Sequence, residues 1–128
     1  MRKMKNSKGF TLMEMLIVVA IIAILVAIMI PTLTTQLERA RETADLANIR
    51  AAYAEASVKA LTENTAGTAT VTMTQHTADF KYITAPDYLT KNSDTTVATN
   101  WEAVAAATSG ATVTVTVNPD GTVAYTVA

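Results

Sequence analysis

Residues 15–30 form an unbroken run of sixteen positions without a polar side chain, and the run stops at Pro31. Counted from Phe10, the apolar segment 10–30 has 21 residues. As a helix at 1.5 Å per residue it spans about 30 Å, the thickness of a bilayer's hydrocarbon core. Beyond Pro31 the pattern turns periodic. Leu33, Leu37, Ala40, Ala44, Ala47, Ala51, Ala54, Val58 and Leu61 recur at steps of four and three, with Leu46, Ile49 and Tyr53 widening the stripe. This is the signature of an amphipathic helix, with that stripe expected to face the chain's own core. Glu38, Arg39, Arg41, Glu42, Asp45, Arg50 and Glu55 lie opposite and read as a solvated face, with Glu38–Arg41 and Arg41–Asp45 at helix-neighbour spacing. One helix from 11 to 61 would be roughly 75 Å long, with a bend or local opening at Pro31, whose ring removes one backbone donor. Coiled-coil pairing is the alternative use of the stripe, but its many alanines make a thin zipper.

After residue 61 the texture changes: 18 of the last 67 residues are threonine, often beside valine, a composition suited to half-buried strands. Residues 62–68 read as helix exit and loop, 69–74 as a strand, and 80–83 as a further strand. Ala85-Pro86-Asp87 and Lys91-Asn92-Ser93-Asp94 read as turns. Residues 101–107 fit either a short helix capped by Asn100 or a strand. The clearest element is the final hairpin, where Thr112 to Val117 alternates and Asn118-Pro119-Asp120-Gly121 supplies the turn. Pairing Asn118 with Thr122 leaves a three-residue loop with left-handed Gly121 and puts Val117 opposite Val123, Val115 opposite Tyr125, and Val113 opposite Val127. That register gathers one apolar face, so it is expected over its neighbour. The predicted class is α+β: one long amino-terminal helix, apolar first and amphipathic second, on a small antiparallel sheet ending in a hairpin. The expected parts are 1–9, 10–30, 31–61 and a threonine-rich head, 62–128.

Charge sharpens this division. The basic residues Arg2, Lys3, Lys5 and Lys8 all precede Gly9, and the rest of the chain has 6 basic against 11 acidic side chains. Positive charge before an apolar segment keeps that tail cytoplasmic and sends the remainder outward. A mildly acidic body gives no electrostatic footprint for nucleic acid. The chain has no cysteine, which removes disulfides and thiolate metal sites, and it has one histidine, His76. Asp79, Asp87, Asp94 and Asp120 are scattered rather than spaced as a calcium loop. No phosphate-cradling glycine loop or nucleophile–base pair is present, so neither catalysis nor a cofactor is expected. His76 reads as a loop residue and Trp101 as a core plug, with sugar or subunit binding as the alternative for an exposed tryptophan.

The distinctive chemistry lies in Lys8-Gly9-Phe10-Thr11-Leu12-Met13-Glu14. A cleaved secretory signal would place a small-residue site after the apolar run, where Pro31-Thr32-Leu33-Thr34 stands instead. A plain anchor needs neither the Gly9–Phe10 junction nor a carboxylate one turn inside the apolar segment. A charge at mid-membrane costs about 2.5–3.5 kcal/mol, and less near the interface. Cleavage after Gly9 would create an α-ammonium at Phe10, and that cation could neutralise Glu14 of a neighbouring chain. Breaking such a buried pair costs about 3–5 kcal/mol, so the pair would enforce register.

This motif, with the aliphatic run and Pro31, resembles the amino terminus of type IV pilins and the related pseudopilins, over roughly residues 1–60. The resemblance implies a peptidase cut between Gly9 and Phe10, methylation of the Phe10 amine, docking through Glu14, and a helix kink at Pro31. It also implies a precursor inserted once in the cytoplasmic membrane and an extracellular filament of many copies. Its expected partners are a prepilin peptidase, an assembly ATPase and a platform protein. The chain departs from the family at Ala23, where a glycine is common, and in lacking a head disulfide. The leading expectation is a pilus subunit. The alternatives are a pseudopilin of a secretion or DNA-uptake machine and a membrane-tethered binding module that does not polymerise.

Overall fold

The structure, a computed structural model, describes residue 9 and residues 11–92, 96–98 and 100–128. The basic leader residues, Phe10, Ser93 and Asp94 lie outside the described residues. The chain divides into two units, Met1–Thr35 and Gln36–Ala128.

Helix α1 (Leu12–Glu63) passes from the first unit into the second. In the first unit its apolar side chains are exposed all round, from Leu12 to Ile30. Pro31 sits inside the helix, which continues through it without a break. Threonine hydroxyls serve nearby carbonyls: Thr32 donates to Ile28 O at 3.3 Å, and Thr34 and Thr35 both donate to Pro31 O at 3.0 Å.

In the second unit α1 packs on a three-stranded antiparallel sheet of β1 (Gly67–Thr72), β4 (Thr112–Val117) and β5 (Val123–Val127), in the order β1-β4-β5. Between β1 and β4 come α2 (Asp87–Thr90), a two-residue ribbon of β2 (Lys91–Asn92) with β3 (Thr96–Val97), and α3 (Trp101–Ala106). The β4–β5 register pairs Val113 with Val127, Val115 with Tyr125 and Val117 with Val123, as the alternation requires. Those residues join Val71, Met73 and Ala69 beneath the sheet, while the threonines of β1 and β4 point to the other face. Helix and sheet meet closely because Ala52, Ala56 and Ala60 line the helix and Gly67 opens β1. Lys59 Nζ also donates to Thr68 O at 3.1 Å.

The helix turns a different side inward from the one its alanine stripe predicts. Leu33, Leu37, Val58 and Leu61 are exposed. The buried positions are Glu38, Glu42, Asp45, Leu46, Ile49, Ala52, Ala56 and Ala60. Periodicity counted the three acids as solvated, whereas each is paired with backbone donors and belongs to the buried stripe. Burial of a carboxylate is tolerated when hydrogen bonds replace its water.

Four smaller expectations also change. The strand placed at 69–74 begins two residues earlier, at Gly67, and ends at Thr72. Residues 80–83 form turns rather than a strand, because Asp79 and Phe80 both take left-handed φ values, 73° and 44°. Asp87, expected in the turn Ala85-Pro86-Asp87, opens a single helical turn, Asp87–Thr90. Residues 101–106 are helical with Asn100 at the N-cap position, but its side chain makes no capping bond. Its side chain donates instead to Tyr125 O at 3.1 Å, tying α3 to the sheet.

Candidate functional site

Gly9 is exposed, and a Cβ added there would meet nothing within 4 Å. Two residues on, Thr11 and Glu14 form a reciprocal pair. Thr11 N–H donates to Glu14 Oε2 at 2.9 Å, and Glu14 N–H donates to Thr11 Oγ1 at 3.3 Å. This is a capping box, which satisfies two backbone donors at the start of α1. Met15 N–H then donates to Thr11 O at 3.2 Å, the first main-chain bond of the helix. The Thr-x-x-Glu spacing was present in the sequence, yet Glu14 was read only as an intermolecular partner. In the uncleaved chain its carboxylate already has a local use.

From Met15 to Ile30 the helix offers only hydrocarbon. It is long and apolar enough to cross a membrane, and no residue of its most apolar stretch is buried within the chain. Phe10, the residue expected to carry the new amine, lies outside the described residues.

The other predicted positions fall in the second unit. At the hairpin turn, Asn118 N–H donates to Thr122 O and Gly121 N–H to Asn118 O, both at 2.9 Å. Gly121 has φ 87°, a value that favours glycine. Asp120 Oδ1 accepts from Thr122 N–H at 3.0 Å and from its hydroxyl at 2.7 Å, and these bonds hold the Asp120 carboxyl below its usual pKa. Asn118, Pro119, Asp120 and Gly121 thus shape the turn. Trp101 is half-buried, stacked on Phe80 with centroids 6.0 Å apart and edge-on to Tyr125 at 5.3 Å. The Tyr125 hydroxyl donates to Leu89 O at 2.6 Å. Burial, together with Tyr53 and Tyr88, pushes its pKa far above the usual tyrosine value. Among the described residues no three acid or histidine side chains are grouped to hold a metal.

A second cluster escaped the sequence reading. Asp45 accepts from Thr74 N–H at 2.9 and 2.8 Å, from the Thr74 hydroxyl at 2.7 Å, and from Gln75 N–H at 2.7 Å. Glu38 Oε1 accepts from the N–H groups of His76 and Thr77 and from the Thr77 hydroxyl. Its Oε2 lies 3.3 Å from Arg41 Nη1. Glu42 Oε2 accepts from Tyr82 N–H at 2.8 Å. Desolvation pushes the Glu38 carboxyl up, but the amides of Thr77 and His76, the Thr77 hydroxyl and Arg41 outweigh it and leave its pKa lowered. The signal in the sequence was the spacing: 38, 42 and 45 continue the stripe of Ile49, Ala52 and Ala56.

The chain thus carries an exposed apolar helix, opened by a capping box and long enough to cross a membrane, and a small α+β head. Residues 4–30 match the prokaryotic N-terminal methylation motif. The chain is 60% identical over 40 residues to the type IV wide pilus major component PilA4 of Thermus thermophilus, a match covering 31% of this chain and 30% of that protein. It is 50% identical over 58 residues to the type IV narrow pilus major component PilA5 of the same organism, covering 43% of this chain and 50% of that protein. These matches span half or less of the relatives' length. No solved structure matches the chain. Over its amino-terminal part the chain is thus similar to major components of type IV pili.

Proposed function

We propose that this chain is a filament subunit of a type IV pilus, made as a membrane precursor and assembled through residues 10–30. The observation that carries the reading is the joining of the Gly9–Glu14 motif to an apolar helix that finds no cover within its own chain. Burying one Val, Leu or Ile is worth about 1.5–3 kcal/mol, so the run passes from lipid into a bundle of sister helices without entering water. The exposed stripe Leu33, Leu37, Val58 and Leu61 lies available to the same neighbours.

In the proposed sequence the basic leader keeps the amino terminus inside and the head crosses outward. A prepilin peptidase cuts between Gly9 and Phe10, and the Phe10 amine is methylated. Before the cut Glu14 serves its own capping box; afterwards the Phe10 ammonium of a neighbouring subunit competes for it. The carboxylate thus passes from an intramolecular role to an intermolecular one. Pro31 weakens α1 at the boundary where lipid or helix-bundle burial gives way to the head. An assembly ATPase and a platform protein drive the transfer. The role is structural, and no residue is assigned to catalysis. The pilus reading stands ahead of a pseudopilus because both similar proteins are named as major components of pili.

The test replaces Glu14 with Val in the organism that carries the chain. The expected result is precursor and processed chain in the membrane with filaments lost. Normal filament numbers from Glu14→Val would contradict the docking role.

A further inference from the structure

Residues 38, 42 and 45 of α1 place three carboxylates against one segment of the head. The backbone N–H groups of four consecutive residues, Thr74, Gln75, His76 and Thr77, and that of Tyr82, all end on them. Few other bonds of that segment reach α1. Its remaining ties run to α3 and the chain before β4: Asp79 N–H to Ala105 O at 2.6 Å, Gln75 Nε2 to Ala107 O at 2.7 Å, and Ser109 N–H to Gln75 O at 2.8 Å. We propose that Glu38, Glu42 and Asp45 form a carboxylate latch that docks residues 74–82 on α1, with Glu38 as its acid-sensitive member, so that protonating Glu38 loosens the segment and leaves the sheet paired.

The chemistry follows from the donors. An ionised carboxylate accepts at every lone pair, and charge-assisted bonds to N–H groups are about twice as strong as neutral ones. A protonated carboxyl carries a hydrogen of its own, which here would point at a wall of donors. The cation paired with the latch is Arg41, 3.3 Å from Glu38 and 3.4 Å from His76 Nδ1, while Arg39 and Lys81 each sit 5.4 Å from the Tyr82 ring centre. Asp79 is the acid within the segment, and Glu102 of α3 is exposed. The strands contain no acid, base or histidine in β1, β4 or β5, and their one titratable side chain, Tyr125, stays protonated in acid. The strand pairing itself therefore offers acid no group to act on, and Asp120 at the β4–β5 turn is the carboxylate beside it. Glu38 gives the direction: its pKa is lowered from 4.5 when docked, so docking is favoured above that value and lost as pH falls through the lower one.

Trp101, the chain's one tryptophan, reports the movement because Phe80, inside the segment, stacks on its ring. The experiment titrates the full chain in detergent micelles from neutral pH into acid, reading tryptophan emission and far-ultraviolet circular dichroism together. The expected result is a red shift with its midpoint below pH 4.5 while the dichroism holds. Glu38→Gln should bring the red shift to a higher pH, and Asp45→Asn should show it already at neutral pH. If Asp45→Asn fails to fold, Glu38→Gln decides. Emission and dichroism changing in one step, an emission that stays constant while the fold persists, a step near the ordinary histidine pKa, or a Glu38→Gln profile identical to wild type would each overturn the latch.

Discussion

Asp45 shows how one side chain organises a segment distant from it in sequence. Its two oxygens take the amides of Thr74 and Gln75 and one hydroxyl, all at 2.7 to 2.9 Å. Asp45→Ala would leave those buried donors without acceptors. Each unsatisfied buried group costs about 1–3 kcal/mol, so denaturant unfolding should show a loss of about 2–4 kcal/mol. Glu55, exposed and bonded to Lys59 at 2.6 Å, gives the contrast: Glu55→Ala should stay within about 0.5 kcal/mol of wild type. At the other end of α1, Thr11→Ala removes the hydroxyl half of the capping box. It should cost about 1 kcal/mol of local helix stability, read as faster amide exchange at Glu14 than at Leu25 in micelles. Equal protection at both sites in the variant would show that the cap contributes nothing there.

At the scale of elements, the contact between α1 and β1 depends on the absence of a side chain. A Cβ at Gly67 would lie 1.9 Å from Ala56 O and 2.9 Å from Ala60 N, both backbone atoms that cannot swing aside. Gly67→Ala should therefore push β1 from the helix and cost at least about 1–3 kcal/mol, seen as a lower unfolding midpoint. Tyr125→Phe, which removes only the bond to Leu89 O, should cost about 1 kcal/mol by the same measurement. The same elements show what was legible. The hairpin was readable because Thr–Val alternation, Pro119 and Gly121 all specify one register. The inward side of α1 was not, because its upper third is acidic and a periodicity count treats acids as water-facing. Residues 80–83 misled for a related reason: their apolar composition suits a strand, but the left-handed backbone at Asp79 and Phe80 is a tertiary requirement. In the amino-terminal segment the motif, the apolar run and Pro31 were readable directly. The capping box was missed because Glu14 was weighed against lipid rather than against its own helix end.

For the whole molecule, the two units pose opposite problems to water. The head buries its own core of Ile49, Val113, Val115, Tyr125 and their neighbours. The helix before it buries none of the side chains of its most apolar stretch, and in the proposed function lipid or sister helices would cover them. In the proposed function, cleavage after Gly9 would connect the two environments, because it would remove the leader's charges and supply an ammonium for Glu14. The most direct measurement takes filaments sheared from cells, confirms this chain in them by immunogold labelling, and weighs the intact subunit by mass spectrometry. The account expects a chain beginning at Phe10 with one added methyl group on the Phe10 amine. A subunit still beginning at Met1, one cut elsewhere, or filaments that lack the chain would contradict it.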